Sequence, residues 1–134
     1  MGRLILDTGV LVAVDRGRVK LSDIITEADD VVISAVTVAE LDEGLQLADD
    51  SNRARRQAFM DGVLEDYPVE PYDVPVARAH AKLMAHCRMA GQPRGAHDLM
   101  IAATAAETGR TLITMDARAG FGDLPGITAK VLPR

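Results

Sequence analysis

Four short segments of this chain are apolar at consecutive rather than alternate positions: Leu4 to Leu6, Val31 to Ser34, Thr111 to Thr114 and Ala129 to Leu132. A strand that buries one face alternates apolar with polar residues, so strands lacking that alternation belong to a sheet covered on both sides. The stretches between them carry helical spacing, and strands alternating with helices build a parallel sheet with helices packed on its two faces. The fold class read from the sequence is therefore α/β with a short, mainly parallel central sheet. The 134 residues have the length of a single domain, taken here as 1–134.

The spacing predicts a brief apolar helix from Thr8 to Val14, closed by Asp15-Arg16-Gly17. Helical spacing recurs at Leu21, Ile24, Ile25 and Ala28, which predicts a second helix over 21–28. A third is expected from Thr37 to about Asp49, with Val38, Leu41, Leu45 and Ala48 on one face, and a fourth from Asn52 to Asp66. Prolines 68, 71 and 75 make Pro68 to Val74 a connection containing a short strand. Pro75 suits the first turn of a helix that runs to Ala90 and stops at Gly91. The segment from His97 to Thr108 is apolar on nearly every side, so its helix should be central, ending at Gly109.

Four acids stand where this pattern switches from strand to helix, or early in a helix: Asp7, Glu40, Asp98 and Asp116. In parallel sheets, ligands sit outside the carboxyl ends of the strands at a topological switch point. Asp7 and Asp116 each lie at or just past a strand end and should emerge on the same edge. An ionised carboxylate beside a buried segment is costly unless a cation compensates it, and no Lys or Arg neighbours Asp7 or Asp98 in the sequence. A bound divalent metal is the economical compensation. Each acid also has an individual structural role open to it. Glu40 follows Thr37 by three residues, as in a capping box. Asp98 suits the positive end of its helix. Asp116 suits a turn before Ala-Arg-Ala-Gly, and Asp7 a cap for the helix near Thr8. The convergence of all four on one edge is what those separate roles leave unexplained. Hard carboxylate oxygens without thiolates select Mg2+, or Mn2+ in its place, over zinc. One or two such ions would suit metal-dependent hydrolysis of a phosphodiester.

Composition narrows the alternatives. A net charge of −5 argues against a protein that coats nucleic acid, although not against an enzyme acting on it. Basic residues cluster as Arg16, Arg18 and Lys20, as Arg53, Arg55 and Arg56, and as Arg88 and Arg94. Each cluster suits either phosphate contact or a solvated helix face. Two Phe, two Tyr and no Trp leave little for a base-stacking platform. The single Cys87 has apolar neighbours at helical spacing and reads as a core residue, which suits a cytoplasmic protein. The apolar runs fall well short of the roughly 20 residues of a membrane span, and the N-terminus meets Asp7 too soon for a signal peptide. His80, His86 and His97 lack zinc spacing and read as core or surface residues, with His97 favoured to touch the site because it adjoins Asp98. Gly120-Phe121-Gly122 lacks the following helix of a dinucleotide loop. Asp7-Thr8-Gly9 is the triplet of aspartic proteases, but those need an all-β chain, against the long helical stretches from Thr37 to Ala106.

With these pieces in order, the chain resembles a PIN-domain ribonuclease of the small VapC toxin type over essentially its whole length. The resemblance rests on the apolar strand into Asp7-Thr8, Ile-Ser-Ala-Val-Thr-Val-Ala-Glu-Leu from Ile33 to Leu41, His97-Asp98 opening an Ala-rich helix, and Leu-Ile-Thr-Met-Asp from Leu112 to Asp116. It implies a PIN-like three-layer α/β/α sandwich. It also implies metal ligation and catalysis by Asp7, Glu40, Asp98 and Asp116, with the Thr8 and Thr114 hydroxyls positioning those carboxylates. RNA would be the substrate, contacted by Arg16, Arg18, Arg88 and Arg94. The implied partners are a small antitoxin that wraps the toxin and a second copy in a homodimer. The chain departs from the family pattern at Gly9, where members often carry Ser or Asn, and at Gly120, where many place a further acid. Two other readings use the same residues: a PIN-like module that binds RNA or a partner without cleaving, and a metal-dependent DNA nuclease.

Overall fold

The protein is described by a computed structural model covering residues 1–133. Strand β1 (Arg3–Leu6) leads into helix α1 (Thr8–Asp15) and a single 3-10 turn at Leu21–Asp23. Strand β2 (Asp30–Ser34), helix α2 (Ala35–Gln46), helix α3 (Asp50–Asp66) and the two-residue strand β3 (Val69–Glu70) follow. Helices α4 (Val74–Ala90) and α5 (Ala96–Thr108) precede strand β4 (Thr111–Thr114), a 3-10 turn at Phe121–Asp123 and strand β5 (Ala129–Val131).

The five strands form one sheet in the order β3-β2-β1-β4-β5, and every pairing is parallel. Strand β1 is central: Leu4 stands opposite Val31 on one side and Thr111 on the other. Successive connections run from β1 outward to β2 and β3, and then back across to β4 and β5. The direction of winding therefore reverses between β1 and β4, which places the switch-point crevice beyond their carboxyl ends. Asp7 follows β1 and Asp116 follows β4, so both sit at that crevice.

The uninterrupted apolarity of the strands is explained by two separate cores. Ile5, Val32 and Leu112 pack against Val76, Leu83 and Cys87 of α4 and Leu99, Ile101 and Ala102 of α5. Their sequence neighbours Leu6, Ile33 and Ile113 point to the opposite face, against Val10 and Leu11 of α1 and Val63 of α3. Successive side chains on a strand point to opposite faces, so both must be apolar when both faces are covered. The three-layer sandwich follows. Helix α5 is central as expected, and its small buried residues Ala102, Ala103 and Ala105 let it lie close to the sheet. Cys87 is buried in the same core.

Several boundaries differ from the sequence reading for identifiable reasons. The helix expected over 21–28 is reduced to Leu21–Asp23. The Asp29 carboxylate takes the amides of Thr26 at 2.9 Å and of Gly2 at 2.8 Å, fixing a turn where helix would have continued. Leu21, Ile24 and Ile25 still pack on the core, which accounts for their spacing. Helix α2 begins at Ala35 because Ser34 Oγ caps it, accepting from the Val36 amide at 3.0 Å. Asp49 and Asp73 cap α3 and α4 in the same way, accepting from the amides of Asn52 and Val76. Gly91 and Gly109 end α4 and α5 in the left-handed conformation, both with φ of 65°. The cluster on α3 is structural: Arg55 pairs with Asp15 of α1, Arg56 bonds the Gly44 carbonyl and Arg53 bonds the Ala48 carbonyl.

Candidate functional site

The site is built at the ends of β1 and β4. Asp7 caps α1, its Oδ1 accepting from the Thr8 amide at 2.9 Å. Its Oδ2 accepts from Thr114 Oγ1 at 2.8 Å. Thr114 is the fully buried last residue of β4, and its Oγ1 also accepts from the Asp116 amide at 3.0 Å. Asp7 is itself only 7% exposed. Burial pushes its carboxyl up to about 6, and the charges of Asp98 and Glu40 act in the same direction, against the hydrogen bonds from Thr114 and Thr8.

Glu40 enters from α2. Because Ser34 rather than Thr37 caps that helix, Thr37 is an interior, fully buried residue and Glu40 is not part of a capping box. It reaches across to α1 instead, where Thr8 Oγ1 donates to its Oε1 at 2.6 Å; Thr37 Oγ1 lies 3.0 Å from the same Thr8 hydroxyl. The other Glu40 oxygen lies 3.5 Å from Nδ1 of His97. Asp98 is in the first turn of α5 and accepts no hydrogen bond from the described residues. Its carboxyl is raised by burial and by the charges of Asp116 and Glu40, with His97 and Arg94 opposing. Asp116 has the expected turn role, its Oδ1 accepting from the amides of Arg118 at 3.0 Å and Ala119 at 3.1 Å. Its second oxygen accepts nothing within the described residues.

All four acids, with Thr8, Val12 and Arg18, line one cavity of about 670 Å³. None of them is ion-paired to a Lys or Arg among the described residues; the imidazole of His97 stands beside Glu40, Arg94 acts on Asp98 from farther off, and Arg18 lines the same cavity. Nor are any three His, Cys, Asp or Glu side chains among the described residues gathered at chelating distance. Hydrogen bonds from Thr114, Thr8 and the 118–119 amides fix Asp7, Glu40 and Asp116 around the cavity wall. The donor set is all oxygen and uncompensated, which fits a hard divalent cation.

The remaining candidates divide by position. Arg18 lines the acid cavity. Arg16 lines a smaller hollow beside it that also includes Glu40. Arg94 lines a further cleft that shares Asp98 and Asp116 with the acid cavity. Arg88 borders a hollow with Met84, Cys87 and Arg94 that includes none of the four acids. His80 is buried with its Nδ1 2.8 Å from the Tyr72 hydroxyl, and His86 is exposed. Two residues at the site escaped the sequence reading. Thr37 carried a signal, one turn before Glu40, but it was absorbed into a capping role. Arg118 carried none, because its place depends on the turn that Asp116 makes.

Comparison with known proteins accords with this architecture. Residues 4–126 match the PIN domain family. Ribonuclease VapC5 of Mycobacterium tuberculosis is 36% identical over 113 residues, which cover 84% of this chain and 82% of that protein. A chain in the crystal structure of VapBC-5 from Mycobacterium tuberculosis, a member of the VapBC family of toxin-antitoxin systems, superposes with a TM-score of 0.79 at 28% identity, covering 100% of both chains. A chain in VapBC2 from Rickettsia felis, bound to a DNA fragment from its promoter, has a TM-score of 0.87 over 97% of this chain and 98% of that one; at 19% identity it speaks for the fold alone. An apolar parallel sheet, a switch-point crevice lined by four acids and a family match over almost the whole length lead to one conclusion: this chain belongs to the PIN-domain family.

Proposed function

We propose that this chain is an endoribonuclease, the toxin of a toxin–antitoxin pair, formed as a single domain over residues 1–134. The observation that carries the chemistry is the cavity in which Asp7, Glu40, Asp98 and Asp116 meet without a Lys or Arg counter-ion, with the Asp7 carboxyl pushed up to about 6. Such a set is costly by itself and is stabilised by cations. The RNA substrate and the antitoxin partner are supported by the ribonuclease and toxin-antitoxin names of the relatives. A homodimer and a cytoplasmic location belong to the same proposal; no helix among the described residues is long and apolar enough to cross a membrane.

In this reading the four acids hold Mg2+, or Mn2+ in its place, as one or two ions. The chemistry such a cation would supply, held by these four acids, is a lowered pKa for water and a charge to offset the leaving oxygen. The side chains of the chain supply position. Thr114 fixes the Asp7 carboxylate and, through the same oxygen, the Asp116 backbone. Thr8 fixes Glu40. Arg18 and Arg94, on two sides of the acids, receive the phosphates of the strand, with Arg16 at the margin. Water is the nucleophile in this reading, because a hard cation held by carboxylates activates water without a covalent intermediate.

The test is hydrolysis of an end-labelled RNA with Mg2+ or Mn2+, alongside a DNA strand of the same sequence. Cleavage of RNA that stops in EDTA supports the proposal. Preferred cleavage of DNA selects the DNA-nuclease reading, and metal-insensitive binding without cleavage selects the silent module.

A further inference from the structure

Beside the acid cavity lies the second cleft, of about 440 Å³, whose walls include Arg94, Gly95, Asp98, Asp116 and Arg118. The two clefts share Asp98 and Asp116, so these carboxylates form the ridge between them. On the acid side the wall is anionic. On the far side it carries two guanidinium groups, and neither forms an ion pair with a carboxylate among the described residues.

The arginines are held differently. Arg94 lies across the 119–120 backbone, where its Nη1 donates to the Ala119 carbonyl. Gly120 leaves room for it: with φ of 59°, a side chain there would meet Arg94 Nη1 at 3.0 Å. The Nε of Arg94 is buried without a partner. Arg118 is exposed, and its guanidinium has no hydrogen-bond or ion-pair partner among the described residues, although its backbone amide is anchored on Asp116 Oδ1. One cation is therefore held against the loop and one stands exposed to solvent, at the edge of the ridge that carries two of the four acids.

We propose that this cleft is the subsite for the RNA phosphate adjoining the scissile one, with Arg118 as its principal contact and Arg94 as its fixed wall. The inference rests on the ribonuclease reading of the acid cavity and adds to it a direction for the strand. A polyanion cannot approach four carboxylates without local cationic charge along its path. The adjoining phosphate leaves the acid cavity over the Asp98–Asp116 ridge and meets a planar guanidinium suited to paired hydrogen bonds with phosphate oxygens. Arg118 is thus a positioning residue, separate from the acids.

The experiment is a cycle between protein charge and substrate charge. A short RNA containing one cleavage site is made with a neutral methylphosphonate at each flanking position in turn. Wild type and Arg118→Ala are compared by kcat/KM in Mg2+ and by affinity in EDTA at low salt, using fluorescence anisotropy. Removing one particular flanking charge should cost wild type about tenfold, and the same removal should cost Arg118→Ala almost nothing. Arg94→Lys should weaken the same position and no other. Equal losses in wild type and variant at every flanking position overturn the subsite. Absence of RNA cleavage by wild type overturns the ribonuclease reading, and the affinity cycle then decides the subsite on its own.

Discussion

Thr114 Oγ1 donates to Asp7 Oδ2 at 2.8 Å, tying the end of β4 to the end of β1 with a single buried hydroxyl. The same oxygen accepts from the Asp116 amide at 3.0 Å, so one side chain sets the separation of two acids drawn from opposite ends of the sequence. Thr114→Val keeps the shape and removes both bonds. It should cost about 1–3 kcal/mol of stability, the penalty for leaving buried polar partners unmet. It should also raise the Asp7 carboxyl further, moving the acid limb of the pH–rate profile upward. Thr114→Ser should restore most of both. Urea unfolding and a pH–rate profile read the two effects separately.

Metal-free stability should depend on pH through Asp7. Its folded-state value of about 6 lies above an unfolded value of about 3.9, so the native state holds the extra proton between the two. The contribution of Asp7 to stability is fully present below pH 4, falls as pH rises through that window, and levels off above 6. The loss amounts to about 3 kcal/mol at most, from roughly two units at 1.36 kcal/mol each. Chemical denaturation in EDTA at pH 4.5 and pH 7 measures it, and Asp7→Asn should remove most of the slope. An Asp7→Asn protein with the wild-type slope would assign the titration elsewhere. Added Mg2+ or Mn2+ should restore stability at pH 7, because binding draws on the ionised carboxylates.

Asp98→Asn separates stability from function. The Asp98 carboxyl is raised by burial and by Asp116 and Glu40, and it has no hydrogen-bond donor among the described residues. Neutralising it should raise the melting temperature in EDTA by a few degrees while lowering RNA cleavage by orders of magnitude. It should also reduce the stabilisation of the fold by Mn2+. A wild-type melting curve left unmoved by millimolar Mn2+ would falsify the metal site.

The ends of the products distinguish two routes. Metal-free ribonucleases activate the RNA 2′-hydroxyl with a base, but His97 is the sole imidazole at this site among the described residues, and it faces Glu40. Attack by water in line with the 3′-oxygen leaves 5′-phosphate and 3′-hydroxyl ends. Cleavage should then persist when the 2′-hydroxyl beside the cut is replaced. Mass spectrometry of the fragments settles it, with cyclic phosphate ends counting against the mechanism.

How much of this was legible beforehand follows from what kind of information each feature needs. Ile5 and Leu6 are both apolar because both sheet faces are covered, and that requirement is written into consecutive residues. Three of the acids were legible for a related reason: Asp7, Asp98 and Asp116 each border an apolar segment at an element boundary, whereas Glu40 lies inside α2. Features that depend on a local competition were not. Leu21, Ile24 and Ile25 have helical spacing, but the Asp29 carboxylate wins the Thr26 amide. Thr37 reads as the cap of α2 from its spacing to Glu40, but Ser34 at the end of β2 takes that place. Arg88 and Arg94 sit six residues apart, yet Arg88 belongs to α4 while Arg94 follows it in the loop, beside Asp98. Arg118 depends on a turn whose path no periodicity encodes.

The register of β1 has a consequence for how the protein is made. Leu4 can complete its pairing only when Thr111 is available, and Thr114 cannot meet Asp7 before then. A ribosome delivers the chain from its N-terminus, so the first acid emerges early and waits for its neighbours through most of translation. Contacts between segments so distant in sequence are the slow ones to form. A nascent polypeptide halted before Thr111 carries Asp7, Glu40 and Asp98 but no crevice to hold them. The crevice is thus assembled only when β4 reaches its place beside β1.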